Sequence, residues 1–558
     1  MRIVLSVLLG MGLTTAALEA GAQPVPASPP PPPVDAATPP APGAVEATSV
    51  PPSPPAPGAS ETIPVPPPLP SAFAGEASAD AASKVSLAGW SGGFFIRDPD
   101  NYFVLFPSAL VQTDFYSFVG PGVSTVPAAS GGAGLATRLF IRRARIGLGG
   151  EFMKRWLFNA EIEFGGQDVG NVDGTQQASA APAGVAPTDS TGRYASVGGV
   201  AAGAAPANIW IMYRFAPWLN ITVGQYNVPF SMSNRTADPY GSWMERPMPV
   251  RAFAVPSSKD LGGMLSGDVG DGLLAYELGV FGGDGANRPS VDSYVDFIGR
   301  ISLHPFAHSS SAFAKNVQVG VSGRHGDRNP TAVGYDYTPI TTGQGFVLWK
   351  PTRTDDLGRQ VHVLNSGAQN AIGGEVRLRG SNVAFQGELY YVNNNTREAV
   401  DGFQLTHTDR LGNLSGLGWY AELSAWPFGS AFIPTEPGND PPRQLDVEKR
   451  ERPRRGLQLL GIAGGINASY KGASRGQARV DATTPSADIT VYQYGLAAQY
   501  WQTKHVRFAL NYILYHTPDS GKPAENLAVV PDNLKVGSAP PGSGHLLHEF
   551  GARLALSF

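Results

Sequence analysis

The last ten residues of the chain, EFGARLALSF at 549–558, alternate regularly between two kinds of side chain. One row is apolar and consists of Phe550, Ala552, Leu554, Leu556 and Phe558. The other row is polar or small and consists of Glu549, Gly551, Arg553, Ala555 and Ser557. Because successive side chains of a strand point to opposite faces, this stretch predicts a strand with one apolar and one polar face. A terminal phenylalanine that closes such a row is typical of membrane barrels rather than soluble sheets.

The same alternation recurs in four other segments, 157–164, 294–303, 384–391 and 506–514. In the second of these, Phe297 and Ile301 oppose Asp296 and Arg300. Charged side chains are costly in a dry core but natural in a water-filled pore. Beyond the N-terminus, no stretch is uniformly apolar over the roughly 18–20 residues of a membrane helix. The only other structure that satisfies every backbone polar group in lipid is a closed barrel. We therefore expect an all-β fold, a transmembrane antiparallel β-barrel of about 16 strands.

The predicted links between strands alternate in length, as the short periplasmic turns and long external loops of a barrel do. Two links depart from this pattern, because 427–456 is long where a turn is expected and 283–291 is short where a loop is expected. Compact links occur near 150–155, 216–218, 268–272, 303–315, 380–382 and 502–505. Long links occur near 119–136, 165–207, 227–259, 323–369, 393–416, 472–486 and 517–545.

The N-terminal part divides into two segments before the barrel domain at 71–558. Residues 1–22 predict a signal peptide, with Arg2 before an apolar run and a small-x-small cleavage pattern at Ala20-Gly21-Ala22. Residues 23–70 are rich in proline and predict a disordered linker, because proline fixes φ and lacks the N–H. The linker is either a plain spacer or a tether that touches the cell wall, and the residues do not decide between these.

Composition excludes several other functions for the 558 residues. The chain has no cysteine, which rules out disulfides and cysteine metal sites, and its net charge of −4 argues against nucleic-acid binding. It contains neither a phosphate-binding Gly-x-x-x-x-Gly-Lys-Ser/Thr loop nor a His-Glu-x-x-His zinc motif. We therefore expect no catalytic site, no metal and no cofactor.

The densest basic cluster lies in RLFIRRARIGL at 138–148. Strict alternation places Arg143 and Arg145 on the lumen row, but Arg138 and Arg142 on the opposite row. A β-bulge, or a position near the headgroups where a long side chain can reach water, would resolve the conflict. Arginine suits phosphate and carboxylate oxygens because its planar fork binds them in pairs and stays charged. The alternative role is structural, with these arginines paired to Glu161 and Glu163 of the next strand.

The long link at 227–260 is the second candidate site. It is rich in proline and aromatic residues, and it could fold into the barrel as a constriction. Rings of basic side chains are one route to anion selectivity. The alternative is a loop that packs on a neighbouring subunit or lies outside. The predicted pore-lining residues of this region and of the lumen row are Arg235, Arg246, Arg251, Lys259 and Arg300.

Five segments in order resemble the phosphate-selective porin O and P family. They are RRARIGL (142–148), GQYNVPF (224–230), MERP (244–247), KDLG (259–262) and GVFGGDG (279–285). The resemblance covers about residues 95–558. It implies a 16-stranded barrel, a homotrimer, an inward-folded third external loop and basic residues that guide anions. The chain departs from the family at Asn227, where a lysine usually helps to form the anion site, and at Lys259, where arginine is common.

These observations predict a porin of the bacterial outer membrane that contacts lipid and admits small anions such as phosphate. An alternative is a general or organic-solute porin with weak anion selectivity, motivated by Asn227. A further alternative is a structural link between outer membrane and cell wall through the proline-rich segment.

Overall fold

The computed structural model describes only part of the chain, which divides into two units, Met1–Asp80 and Ala81–Phe558. The first unit lies outside the described residues, so the signal peptide and the proline-rich linker stay predictions. The described residues are 87–90, 93–119, 137–165, 205–253, 258–288, 290, 292–311, 313–329, 337, 340–344, 347–349, 352–354, 360–399, 411–431, 455–472, 486–518, 527–528 and 545–558.

Sixteen of the described strands form one continuous antiparallel sheet wall. They are β1 Phe103–Val119, β2 Arg138–Phe152, β3 Trp156–Glu163, β4 Ala205–Ala216, β5 Leu219–Asn227, β6 Lys259–Val269, β7 Leu274–Phe281, β8 Asp296–Leu303, β9 Val317–Gly326, β10 Gln360–Arg379, β11 Val383–Ala399, β12 Leu411–Phe428, β13 Gly456–Lys471, β14 Ser486–Trp501, β15 Val506–Thr517 and β16 His545–Ser557.

The wall closes on itself because the last strand pairs with the first. β16 runs antiparallel to β1, from His548 opposite Val119 to Ser557 opposite Leu110. Every other barrel strand pairs with its neighbours in sequence. Closure leaves no strand edge with unpaired backbone groups, which is the condition that lipid imposes on a sheet. The predicted barrel and its strand number are confirmed.

The two rows of the C-terminal strand face opposite environments. Leu554 is 40% exposed and Phe550 is 43% exposed, whereas Arg553 and Glu549 are each 3% exposed. The exposed apolar side chains point outward, where only lipid makes such a surface favourable. The polar row points into the barrel. The same division holds in 294–303 and 506–514, so the period-two argument identified the faces correctly.

Six shorter strands lie outside the sixteen. The pieces Ala88–Trp90 and Phe94–Arg97 pair with each other, and the second continues onto the start of β1 through Ile96 and Leu105. The other four are Ile340–Thr341, Val347–Trp349, Thr352–Thr354 and Leu527–Ala528. Most links alternate in length as predicted, and 429–455 is long where a turn is expected. Where long loops are expected, 282–295 and 400–410 are about as short as 304–316, which stands where a turn is expected.

In the part of the chain that the structure describes, the helices are short and mostly lie in the third long link, 228–258. They are α1 Met232–Arg235, the 3-10 turn Asp238–Tyr240 and α2 Met248–Phe253, with a further 3-10 turn at Ala314–Asn316. Among the described residues, no helix combines the length and hydrophobicity needed to cross a bilayer.

The third link, called the third loop below, folds into the barrel. Phe230 and Met248 have no exposed surface, and both belong to the apolar cluster that the loop shares with the inward row of the wall. Glycine at position 418 of β12 makes room for it, because a Cβ there would lie 2.9 Å from the ring of Phe253. The apolar residues of the loop therefore find their core inside the lumen.

The assignment of faces can be tested at Leu510 of β15, which is 64% exposed on the outward row. Leu510→Arg is expected to destabilise the barrel by about 2–4 kcal/mol, because it places a charge against lipid near the middle of a strand. Urea titration of the barrel refolded into vesicles measures this change. Leu510→Phe is the control and should change stability little. Equal effects of the two substitutions would contradict the outward placement.

Candidate functional site

A β-bulge in β2 directs two neighbouring arginines into the barrel. Gln112 of β1 pairs with Arg143, but the next residue, Thr113, pairs with Ile141, so Arg142 is the extra residue. Arg142 and Arg143 are both buried, whereas Ile141 is exposed. A bulge re-aims side chains in this way. It resolves the conflict over Arg142 that strict alternation left open, while the side chain at position 138 lies outside the described residues.

Glu245 of the third loop binds arginines from two strands. Its Oε1 lies 2.9 Å from Nε of Arg142, and its Oε2 lies 3.1 Å from Nη2 of the same guanidinium. Oε1 also lies 2.8 Å from Nη2 of Arg553 and 3.6 Å from Nη1 of Arg143. Arg553 in turn binds both carboxylate oxygens of Asp114 at 2.6 Å. This buried network holds the loop against β1, β2 and β16.

A second loop carboxylate, Asp238, gathers three further arginine contacts. Its oxygens lie 2.6 Å from Nη1 of Arg145, 3.4 Å from Nε of Arg143 and 3.0 Å from Nη2 of Arg246. Burial alone would raise the pKa of this carboxyl, but the surrounding arginines hold the pKa of Asp238 well below its ordinary value. Asp238 therefore stays ionised and keeps these arginines neutralised.

The structural alternative for the basic cluster is correct in part. Arg145 binds Glu163 of the adjacent strand, with Nε and Oε2 2.5 Å apart. Arg143 does not bind Glu161, and its ion pairs in the described residues are with Asp238 and Glu245 of the loop. The predicted arginines thus anchor the loop as well as face the lumen.

Arg235 and Arg300 meet at a shared carboxylate on the barrel wall. Nη2 of Arg235 lies 2.7 Å from Oε1 of Glu277, and Nη1 of Arg300 lies 3.4 Å from Oε2 of the same residue. Arg300 also binds Glu375, with its Nη2 2.6 Å from Oε1. Both arginines are buried and neutralised. Their positions fix the start of the loop to β7, β8 and β10.

Asn227 and Lys259 face each other where the third loop leaves and re-enters the wall. They are paired across β5 and β6, and Lys259 is buried. The Asn227 side chain donates through Nδ2 to the backbone oxygen of Asn234, 2.6 Å away. Its backbone oxygen accepts from Nη1 of Arg235 at 2.5 Å. Asn227 thus shapes the loop through one neutral hydrogen bond to Asn234 and one charge-assisted hydrogen bond from Arg235.

Arg251 connects the third loop to a second segment inside the barrel, which the sequence did not predict. Its Nη1 donates to Oγ1 of Thr341 at 2.7 Å and to the backbone oxygen of Thr342. The residues around this contact form a small antiparallel hairpin, Ile340–Thr341 with Val347–Trp349. Ile340 and Trp349 are almost fully buried.

On the opposite side of the barrel, carboxylates of the wall accept hydrogen bonds from uncharged N–H groups of the loop. Glu388 of β11 accepts the backbone N–H groups of Met232 and Ser233, each at 2.9 Å. Glu422 of β12 accepts the indole N–H of Trp243 at 3.1 Å. Because these contacts lie on strands other than those that hold Glu245, the loop crosses the lumen. Of the two placements that the sequence left open for this loop, the structure has the one inside the barrel, where the loop narrows the lumen.

An open space of about 950 Å³ lies between the loop and the wall. Of the predicted arginines, Arg143 and Arg246 line it. Sequence reasoning missed two others, Arg377 and Arg379 of β10, although the run Glu375-Val376-Arg377-Leu378-Arg379 shows the alternation that places all three charges in the lumen. The same two arginines line a second space of about 520 Å³ with His304 and Lys315, which belong to the link between β8 and β9.

The sequence profile of the phosphate-selective porin O and P family matches residues 126–424. The chain belongs to this family. The protein is therefore a porin of the bacterial outer membrane, and both its family and its fold are those of a channel. The closed barrel with an inward third loop agrees with what the resemblance implied.

Three solved proteins are similar to the porin in structure at low sequence identity. In-vitro folded OmpT of Vibrio cholerae is 8% identical with a TM-score of 0.42, over 82% of this chain and 98% of that one. An anion-selective porin from Comamonas acidovorans is 11% identical with a TM-score of 0.39, over 81% and 100%. The channel DcaP of Acinetobacter baumannii is 10% identical with a TM-score of 0.41, over 83% and 99%. No curated protein sequence matches the porin.

The role of Glu245 as the anchor of the loop can be tested with Glu245→Gln. The substitution is expected to destabilise the porin by about 3–5 kcal/mol, because it leaves buried arginines without their carboxylate. It should also raise the permeability ratio of chloride to potassium, since it removes a negative charge from the constriction. Urea titration and the reversal potential in a salt gradient measure the two effects.

Glu151→Gln is the matched control. Glu151 pairs with Arg214 at 3.9 Å near the short turns, away from the loop, and both side chains are partly exposed. Such a pair contributes roughly 0–1 kcal/mol. If the two glutamine variants lost the same stability and conducted alike, Glu245 would not be the anchor.

Proposed function

We propose that the porin lets small anions, phosphate among them, diffuse through the space beneath the third loop. The observation that carries this proposal is the lining of that space. Among the described residues, its charged lining comprises four arginines (Arg143, Arg246, Arg377, Arg379) and three carboxylates (Asp238, Glu245, Glu422). Arginine keeps its charge and presents paired donors to oxyanions. A low-dielectric wall around the lumen focuses the field of this excess.

The predicted site residues divide into two groups under this proposal. Arg143 and Arg246 line the path of the anion and also bind loop carboxylates. Arg142, Arg145, Arg235 and Arg300 act mainly through their ion pairs, which keep the loop in place. Arg251 fixes the loop to the inner hairpin. We assign Lys259 to the path because it faces Asn227 at the base of the loop.

Two further parts of the proposal concern the assembly and the membrane. We propose a homotrimer in the outer membrane, since the family is usually trimeric. The lipid contact follows from the outward apolar row. The proline-rich segment lies outside the described residues, so its role as a tether stays a prediction.

Weak selectivity among anions is the second candidate, and Asn227 favours it. The family usually has a lysine at this position. Here the side chain is a neutral amide whose Nδ2 is engaged with the backbone of the loop. One positive charge fewer at the base of the loop favours a less phosphate-specific channel.

The main proposal predicts a chloride-preferring reversal potential for the porin in a planar bilayer under a potassium chloride gradient. Arg377→Gln and Arg379→Gln should each lower the chloride to potassium permeability ratio about fivefold, because one charge at about 4 Å changes the energy of an ion by about 1 kcal/mol in water. Arg324→Gln is the control, since Arg324 binds Asp296 at 2.7 Å and does not line the space. A cation-preferring wild-type porin would defeat the proposal.

The role of Asn227 can be tested by restoring the charge. Asn227→Lys should lower the phosphate concentration that halves the chloride current, because it adds an ammonium group beside the path. Asn220→Lys adds the same charge near the opposite end of β5 and should leave the phosphate block unchanged. If Asn227→Lys also leaves it unchanged, Asn227 is not the cause of weak selectivity.

A further inference from the structure

The space beneath the third loop is lined by both charged and apolar side chains. Its charged lining includes Arg246, Arg377 and Arg379, and its apolar lining includes Trp243 and Trp426 together with two methionines, Met232 and Met244. We propose that this space is a binding site for organic anions with an acidic head on an aromatic or compact apolar body. This inference rests on the proposed anion pathway. Among the anions that enter the pathway, organic anions of this class are expected to bind most tightly.

Arg377 and Arg379 provide the site for the acidic head. They are two residues apart on β10, so their side chains leave the same face of the strand about 7 Å apart. Arg246 belongs to the loop, where its guanidinium donates to the backbone oxygen of Ser233 at 3.2 Å and binds Asp238 at 3.0 Å. Its position is therefore fixed before any solute arrives. A carboxylate at this wall meets donors whose charge does not depend on pH.

Trp426 provides the surface for the apolar body. It lies on the inward row of β12, and its ring centre is 6.5 Å from that of Trp501. The indole N–H of Trp501 donates to Gln458 at 3.2 Å, and that of Trp243 donates to Glu422. The indole N–H of Trp426 is buried and has no hydrogen-bond partner among the described residues.

An unpartnered buried donor costs stability and needs an explanation. Because Trp426 also lines the space, a small turn of its ring toward the space would bring the N–H to an oxygen of a bound organic anion. The ring itself would stack on the body of that anion. Both features of Trp426 thus fit the same class of ligand.

Inorganic phosphate fits this lining less well. It is compact and strongly hydrated, and it needs hydrogen-bond donors on every side to replace its water. The tryptophan and methionine side chains in the lining offer few donors. An organic anion suits this mixed lining better, because its apolar body can pack on the tryptophan and methionine side chains while its acidic head meets the arginines.

The test uses the full-length porin in a planar bilayer with benzoate and inorganic phosphate as probes at constant pH and ionic strength. The concentration of each probe that halves the chloride current is measured. Benzoate should block at a concentration about tenfold lower than phosphate, because only benzoate buries a ring. Trp426→Leu should weaken the benzoate block about fivefold and leave the phosphate block within about twofold.

Trp501→Leu is the matched control, because Trp501 belongs to the same aromatic pair but does not line the space. It should change neither block. Arg377→Gln is the second variant and should weaken the block by both anions. The far-UV circular dichroism spectrum of each variant in vesicles, compared with that of the wild-type porin, shows that the barrel has folded.

Three results would overturn the inference. Phosphate could block at the same or a lower concentration than benzoate, Trp426→Leu could weaken both blocks equally, or benzoate block could persist unchanged in both Trp426→Leu and Arg377→Gln. Any of these in an anion-selective wild-type porin would leave the proposed function intact. A cation-selective wild-type porin would instead remove the proposed function itself.

Discussion

The constriction depends on the buried carboxylate of Glu245, which joins the third loop to Arg142 and Arg553 on two different strands. A buried ion pair of this kind contributes little net stability, since desolvation offsets most of the attraction. The ion pair instead fixes the position of the loop, because a loop in any other place would leave several arginines buried without a counter-charge. The closed wall supplies the arginines, and the loop supplies the acids that fix its own path across the lumen.

Arginine therefore has two functions in this porin. On the side of β1, β2 and β16, arginines are paired with loop acids and hold the structure together. On the side of β10, Arg377 and Arg379 line both of the open spaces described above. The near-neutral charge of the whole chain does not reveal these two roles of arginine. The electric field inside the barrel depends on where the charges lie rather than on their sum.

Much of the fold could be predicted from the sequence, because one short-range rule decides it. Period-two alternation marks the strand faces, and closure follows from the absence of any other structure that lipid accepts. The site was less predictable, because its partners are distant. Arg142 meets Glu245 across 103 positions of sequence. The bulge that turns Arg142 inward depends on its pairing with β1, and the inner hairpin at 340–349 has no distinct sequence signal. Arg377 and Arg379 were missed although their alternation was visible.

The contact of Arg251 with Thr341 and Thr342 has a consequence for how the porin can evolve. Residues 340–344 belong to a long external link, the kind of segment that diverges fastest on a cell surface. Here such a segment reaches inward and holds the far end of the third loop. A substitution in that link can therefore move the third loop and change the permeability of the barrel. A substitution in an external link can therefore act on the interior of this porin through a single hydrogen-bonded contact.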